Sequence, residues 1–299
     1  MCPQADDPAV PAPDVAGERA SGLAPEETLP SIPETTRESR RPRRSGRAKI
    51  TAFGVLGEVL LTAGVLVLLF LGWQLWWNDM IMANSQSNAA SEMSQKWISE
   101  AESAPEPADE PVGATEPSVD PVPSQYGSHI VAAAPANAKA FAVMYVPRFG
   151  KDYHRTIAEG TGHDVLNSNR LGIGHYAGTQ MPGEVGNFAV AAHRSAFGGA
   201  MHLINELQLG DAVYVQTSDG YYTYRYRDTE YVAPSEVQVL AAVPNDPDQN
   251  AADSIITLTS CNPLYSTAER IIAYGMLESW QPLSAGAPVE LASIIAAQG

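Results

Sequence analysis

The run "VLGEVLLTAGVLVLLFLGWQLWW" (residues 55–77) constrains everything around it, because its 23 residues carry a single charge, Glu58. At about 1.5 Å of rise per residue, a helix of that length crosses a hydrocarbon core of roughly 30 Å with some tilt. Seven basic residues crowd into "RESRRPRRSGRAK" (37–49) just before it, and Trp73, Trp76 and Trp77 close its far end. Basic flanks stay cytoplasmic and tryptophans settle at headgroup depth. The expected arrangement is therefore one transmembrane helix over 50–77, with the N-terminus in the cytoplasm and the rest of the chain outside the cell membrane. A cleaved signal peptide is the competing reading. The length of the run, its start some 50 residues into the chain and the lack of a clear small-residue cleavage site weigh against it. Glu58, near the inner boundary, reads as a snorkelling or protonated carboxylate rather than part of an ion path.

The flanking composition divides the remainder. Residues 1–49 are mostly Pro, Ala, Glu, Asp and Ser, too polar to offset chain entropy, and are expected as a disordered cytoplasmic tail. Residues 78–138 are expected as a disordered, partly helical extracellular linker. Within it "PEPADEPVGATEPSVDPVPS" (105–124) is an extended spacer, and "NAASEMSQKWISEAES" (88–103) allows a short helix with Met93, Trp97 and Ile98 on one side. Residues 139–283 are rich in Val, Ile, Tyr, Gly and Thr and long enough for one well-buried domain, leaving 284–299 as a tail. Beyond the apolar run the chain holds ten basic and 25 acidic residues, a net of −15 that argues against nucleic acid as a partner.

Periodicity in 139–283 is that of strands. "AFAVMYVPRF" (140–149) is a strand whose late proline suggests an edge, followed by "RTIAEGT" (155–161) and by "FAVAAHR" (188–194), a buried strand ending in charge. "HDVLNSNRLGIGHYAG" (163–178) begins as a short helix and turns irregular, and "MHLINELQLGD" (201–211) has helical spacing. Residues 211–234 form a hairpin turning at Ser218–Gly220, and "DSIITLTSC" (253–261) and "ERIIAYGMLESWQ" (269–281) are the last strands. About eight short strands with few helices indicate an all-β closed barrel or sandwich.

Only two cysteines are present, Cys2 and Cys261. The expected topology puts them on opposite sides of a membrane, so they cannot pair, and no apolar segment precedes Cys2 to make it a lipoprotein anchor. Cys261 stands at the end of a strand, before Asn262–Pro263. A thiol used there needs a cation or histidine to stabilise thiolate and a donor for an acyl oxyanion. Arg270 opens the next strand nine residues on; if the two strands are antiparallel neighbours it lies beside Cys261. His193, at the end of "NFAVAAHR", and His175, in "GIGHYAG", are both available as bases, and spacing does not choose between them. His129, His154, His163 and His202 read as solvated. Bland readings remain beside these: a buried filler cysteine, a surface arginine, an edge histidine. No His/Cys spacing of zinc-ligand type occurs, so neither metal nor cofactor is expected.

The segments "GIGHYAGTQMPGEVGNFAVAAHRS" (172–195) and "ITLTSCNPLYSTAERIIAYG" (256–275) closely resemble the sortases, membrane-anchored cysteine transpeptidases of Gram-positive bacteria. The strand-His element, the TLxxC strand and the following arginine carry the resemblance across roughly 139–283. The wording of "HYAGTQMPGEVGN" and "TLTSCNP" is most similar to class E of high-GC actinobacteria; Ala192 stands where many members have glycine. The resemblance implies an eight-stranded closed sortase β-barrel with short helices. It implies Cys261 as nucleophile, His193 as acid and base, and Arg270 as holder of the substrate backbone and oxyanion. It also implies secreted proteins with LAxTG- or LPxTG-like C-terminal signals as substrates, cleaved between Thr and Gly. The acceptor would be the amine of a cell-wall precursor of lipid II type. Tyr176 matches a position linked with the LAxTG preference, and Thr259 and Ser260, just before the thiol, are further candidates for the substrate side.

Three other readings stand against this one. An L,D-transpeptidase would share the thiol chemistry, but its histidine beside the cysteine is missing. A pilin-polymerising sortase commonly carries an Asp-Pro-aromatic lid, whereas "DEPVG" and "VDPVP" have no aromatic residue following. An inactive membrane-tethered binding module would be expected to have lost one of Cys261, His193 or Arg270.

Overall fold

A computed structural model describes residues 51–73, 77–103 and 126–297. The expected cytoplasmic tail 1–49 with Cys2, Trp76 and the acidic spacer 105–124 lie outside the described residues. The apolar run forms helix α1 (Ala52–Gly72), which is apolar and long enough to cross a membrane and buries none of its residues against the protein.

The strands follow the alternating and continuous apolar patterns closely: β1 (Ala140–Tyr145), β2 (His154–Glu159), β3 (Gly172–His175), β4 (Gly186–Ala192), β5 (Ala212–Gln216), β6 (Gly220–Val232), β7 (Ser254–Asn262) and β8 (Glu269–Pro282). They close into a barrel in the order β1-β2-β3-β4-β7-β8-β6-β5. Closure leaves no free edge for the expected edge strand; β1 ends at Tyr145, and Pro147 instead opens a 3-10 turn, Pro147–Phe149. β2 pairs with β3 and β4 pairs with β7 in parallel, while the other ladders are antiparallel. The barrel interior is filled by Met144, Ile157, Ile173, Phe188, Val190, Tyr224, Ile256, Leu258 and Ile271, among others.

Three expectations change. β3 falls within the stretch read as irregular, after a single helical turn, α3 (His163–Leu166), because pairing with β2 rather than local pattern makes it a strand. The helical spacing at 201–211 yields only a 3-10 turn, Ile204–Glu206, since that segment buries Ile204 and Leu207 under the barrel end. Residues 284–299, expected as a tail, contain α4 (Val289–Ala296), which buries Leu291 and Ile295 against Tyr214 and Tyr221 on the barrel's outer face.

The linker helix is longer than its apolar residues suggested. α2 (Asn78–Ser103) runs for 26 residues and docks on the barrel through Gln86, Ala89, Ala90 and Ser94. Positions 86, 90 and 94 lie one turn apart on a single face. That face is small and polar, so it can lie close to the β1–β2 surface, with Met93, Trp97 and Ile98 packing beside it. Tyr145 donates from its hydroxyl to Ser94 Oγ at 2.9 Å, and Ser91 Oγ lies 2.7 Å from His154 Nε2.

Candidate active site

Three strand ends meet on one rim of the barrel. β4 and β7 run in parallel with Ala191 beside Thr259; continuing that register by two residues leads to His193 beside Cys261. β7 and β8 are antiparallel, and Cys261 pairs with Arg270. Registered neighbours in a sheet point to the same face with strands about 4.8 Å apart. His193, the residue just past the end of β4, therefore lies in a row with Cys261 on β7 and Arg270 on β8. Ser260 ties the first two strands together, donating from its hydroxyl to the Ala192 carbonyl at 2.8 Å.

Cys261 is a free, half-buried thiol. His193 is half-buried too, and its Nε2 lies 2.8 Å from Asn167 Oδ1, an acceptor that places the ring proton on Nε2 and leaves Nδ1 as the basic atom. Nδ1 has no hydrogen-bond partner among the described residues. The Phe197 ring covers the imidazole at 4.9 Å between centroids. Burial pushes the His193 pKa down, the nearby His163 adds to that, and Asp79 opposes it. The guanidinium of Arg270 donates from Nη1 to the carbonyls of Thr267 at 3.1 Å and Glu269 at 3.0 Å. Its Nη2 and Nε have no partner among the described residues and are free to meet a carbonyl or an oxyanion.

The competing base, His175, is occupied. It is fully buried, with Nδ1 2.6 Å from Glu159 Oε2 and Nε2 near Thr179 Oγ1 at 2.9 Å and the Gln180 carbonyl at 3.0 Å. Both nitrogens are held, and the ring is wedged against Phe141 and Phe188. The next residue, Tyr176, turns outward, and its hydroxyl lies 3.1 Å from Thr259 Oγ1, two residues before the thiol. Tyr176 and Thr259 are thus brought together. Thr259 and Ser260 are themselves buried in β7, with their hydroxyls turned to protein partners.

A sortase-domain family model matches residues 144–278, which contain His175, Tyr176, His193, Cys261 and Arg270. Sortase SrtE1 of Streptomyces coelicolor is 32% identical over 276 residues, covering 89% of this chain and 69% of that protein. The chain belongs to the sortase family. A second relative, sortase SrtE2 of the same organism, is 29% identical over 245 residues, covering 80% of this chain and 87% of that protein. Among solved structures, the SrtA sortase from Actinomyces oris superposes with a TM-score of 0.51 at 35% identity, over 55% of this chain and 93% of that one. The protein is a class E-like sortase, a cysteine transpeptidase.

Some functional neighbours in this sortase had no signature in the sequence. Asn167, which fixes the His193 ring, follows α3 in "LNSNR", where nothing in spacing marks it. Arg194, legible only as charge, is buried and bridges two side chains, donating to Asn262 Oδ1 and to Asn205 Oδ1 at 2.9 Å. Asn262 donates in turn to Glu269 Oε2 at 2.9 Å. The residue after the histidine therefore braces the residue after the cysteine, which in turn holds the residue before Arg270. Beside this rim lies a cavity of about 300 Å³, lined by Asp79, Met80 and Ala83 of α2 together with Arg194, Ser195 and Tyr265.

Proposed function

We propose that this sortase cleaves an LAxTG-like C-terminal sorting signal between Thr and Gly and transfers the new carboxyl end to an amine of a lipid II-type wall precursor. α1 anchors it, with the N-terminus cytoplasmic and the barrel outside. The observation that supports the chemical part is the registered pair Cys261–Arg270, with His193 two residues beyond the last β4–β7 pair, Ala191–Thr259. In the first half-reaction the Cys261 thiolate attacks the Thr carbonyl carbon. The tetrahedral oxyanion is met by the free edge of the Arg270 guanidinium. The C–N bond breaks, and protonated His193 gives its proton to the leaving glycine amine. In the second half-reaction an incoming amine attacks the thioester, neutral His193 accepts its proton, and the Cys261 thiolate leaves.

The preference for alanine over proline in the signal is assigned to Tyr176. Its hydrogen bond to Thr259 holds the phenol two residues from the nucleophile, where its bulk meets the residues preceding the scissile Thr. Buried Thr259 and Ser260 serve the substrate side by holding Tyr176 and the strand ends in place. The test is to supply LAxTG and LPxTG peptides with a glycine or diaminopimelate-type amine and to follow products by mass spectrometry. The expected result is amine-dependent ligation after Thr, faster with LAxTG, with Tyr176→Ala narrowing the difference. Faster processing of LPxTG by the wild-type protein would sink the specificity assignment.

A further inference from the structure

Gln86 lies on α2, far in sequence from every catalytic candidate, yet its side chain is fully buried between two loops of the barrel rim. Its amide nitrogen donates one hydrogen to the Ser168 carbonyl at 2.8 Å and the other to the Phe197 carbonyl at 3.0 Å. Both acceptors are oxygens, so the amide must present its NH₂ group to them, and both of its protons are engaged. Each acceptor belongs to a segment that holds His193. Ser168 follows Asn167, whose Oδ1 accepts from the imidazole Nε2 at 2.8 Å. Phe197 lays its ring on the same imidazole at 4.9 Å.

The loops are shaped around this amide. A Cβ on Gly172 would come within 2.7 Å of the Gln86 side chain, and one on Gly198 within 2.8 Å. Both positions have left-handed backbone, at φ +93° and +83°, so glycine serves there for conformation and for space. Phe197 itself sits at φ 51°, a conformation a non-glycine residue holds only when its surroundings fix it. The bond from Gln86 to its carbonyl is one such constraint. By contrast, Ser94, two turns along the same docked face, accepts from Tyr145 on β1.

We propose that Gln86 is a positioning residue for His193. By tying the Ser168 and Phe197 carbonyls together, it fixes Asn167 and Phe197 on the imidazole, so the helix that follows the apolar span completes the acid–base site of the barrel. The consequence is that catalytic competence depends on α2 being docked. This inference rests on the proposed acid–base role of His193, and its test separates the two.

The experiment uses the full-length protein in lipid nanodiscs, with Gln86→Met (shape kept, both donors removed) and Gln86→Glu (shape kept, donors replaced by acceptors), and Ser94→Ala as control. Readouts are peptide kcat and KM, thermal stability, and the NMR titration of the His193 ring. The charged groups acting on that ring are His163 on α3 and Asp79 on α2, with Arg194 the next residue along the chain and Cys261 on the neighbouring strand. None of them is altered in the variants; Gln86→Glu adds a carboxylate of its own, so the titration is read on Gln86→Met. Misplacing a catalytic group by about 1 Å costs up to roughly a hundredfold. Both Gln86 variants should therefore lose about tenfold to a hundredfold in kcat, with KM within about twofold. The His193 resonances should move and titrate closer to a solvated histidine. Ser94→Ala should lower stability alone. Gln86 variants that lose stability while His193 keeps its wild-type resonances and kcat is unchanged would overturn the proposal. Should His193→Ala itself retain turnover, the acid–base reading falls, and the ring resonances still decide whether Gln86 positions it.

Discussion

Replacing His175 by phenylalanine separates a scaffolding histidine from a catalytic one. The ring is fully buried between Phe141 and Phe188, so His175→Phe keeps an aromatic ring, somewhat larger than imidazole, and opens no cavity. What it removes is the 2.6 Å hydrogen bond to Glu159 Oε2 and the contacts to Thr179 and the Gln180 carbonyl. Thr179 retains its bond to the Tyr176 carbonyl at 2.8 Å, so Glu159 is the main casualty. A hydrogen bond to a charged group contributes about 1.5–3 kcal/mol, and stranding a buried carboxylate costs about 3–5 kcal/mol. A net loss near 3 kcal/mol is expected, which for a domain of this size lowers Tm by roughly 6–12 °C. Adding Glu159→Gln should recover about half of it, so the coupling in a double-mutant cycle is at least roughly 1.5 kcal/mol, larger by whatever Glu159→Gln costs alone. Urea unfolding and peptide turnover would be measured on the same preparations. Turnover per folded molecule should stay within about threefold of wild type, far from the loss expected of a general base, which is typically a hundredfold or more. Undiminished stability with collapsed turnover would refute the assignment and return His175 to the chemistry.

Other outcomes follow from the same geometry. Arg270→Lys replaces a guanidinium edge, free at Nη2 and Nε, by a single ammonium already drawn to the Thr267 and Glu269 carbonyls. It should lower kcat by about 10²–10³ with little change in KM, and a loss under fivefold would argue that Arg270 is not the oxyanion donor. Burial lowers the pKa of both His154 and His193. Their unfolded values lie near 6.5, so their contribution to stability is fully present above that pH and is lost as pH falls toward the depressed folded values. Unfolding free energy should therefore drop as pH is lowered from about 7 to about 5, and His154→Gln should flatten that slope. An unchanged slope in the variant would assign the dependence elsewhere.

Much of the fold was legible because strands β4, β7 and β8 are continuous or alternating apolar runs with clear stops. The nine-residue spacing put Arg270 beside Cys261 on the condition that β7 and β8 are antiparallel neighbours, and they are. The proposed choice of His193 over His175 is different in kind, because it comes from the family resemblance. What supports it in the structure is the parallel pairing of β4 with β7 across some 60 residues of chain and the capture of His175 by Glu159; neither leaves a local trace. β3 escaped notice because two of its four residues are glycines and its partner lies in β2. The docking face of α2 was hidden for a physical reason. Gln86, Ala90 and Ser94 bury by closeness and hydrogen bonding, whereas apolar periodicity detects only burial by large side chains. α4 was missed because its apolar residues fall in a short segment beyond the last strand, where pattern alone does not distinguish a docked helix from a tail.

Intact-mass analysis of the full-length protein mixed with an LAxTG peptide and no acceptor amine, followed by peptide mapping, tests the Cys261 acyl-enzyme directly. The expected result is an adduct equal to the peptide up to its Thr, joined as a thioester to Cys261, released by added amine and absent in Cys261→Ala. An adduct that persists in Cys261→Ala, or maps to any other residue, would contradict it.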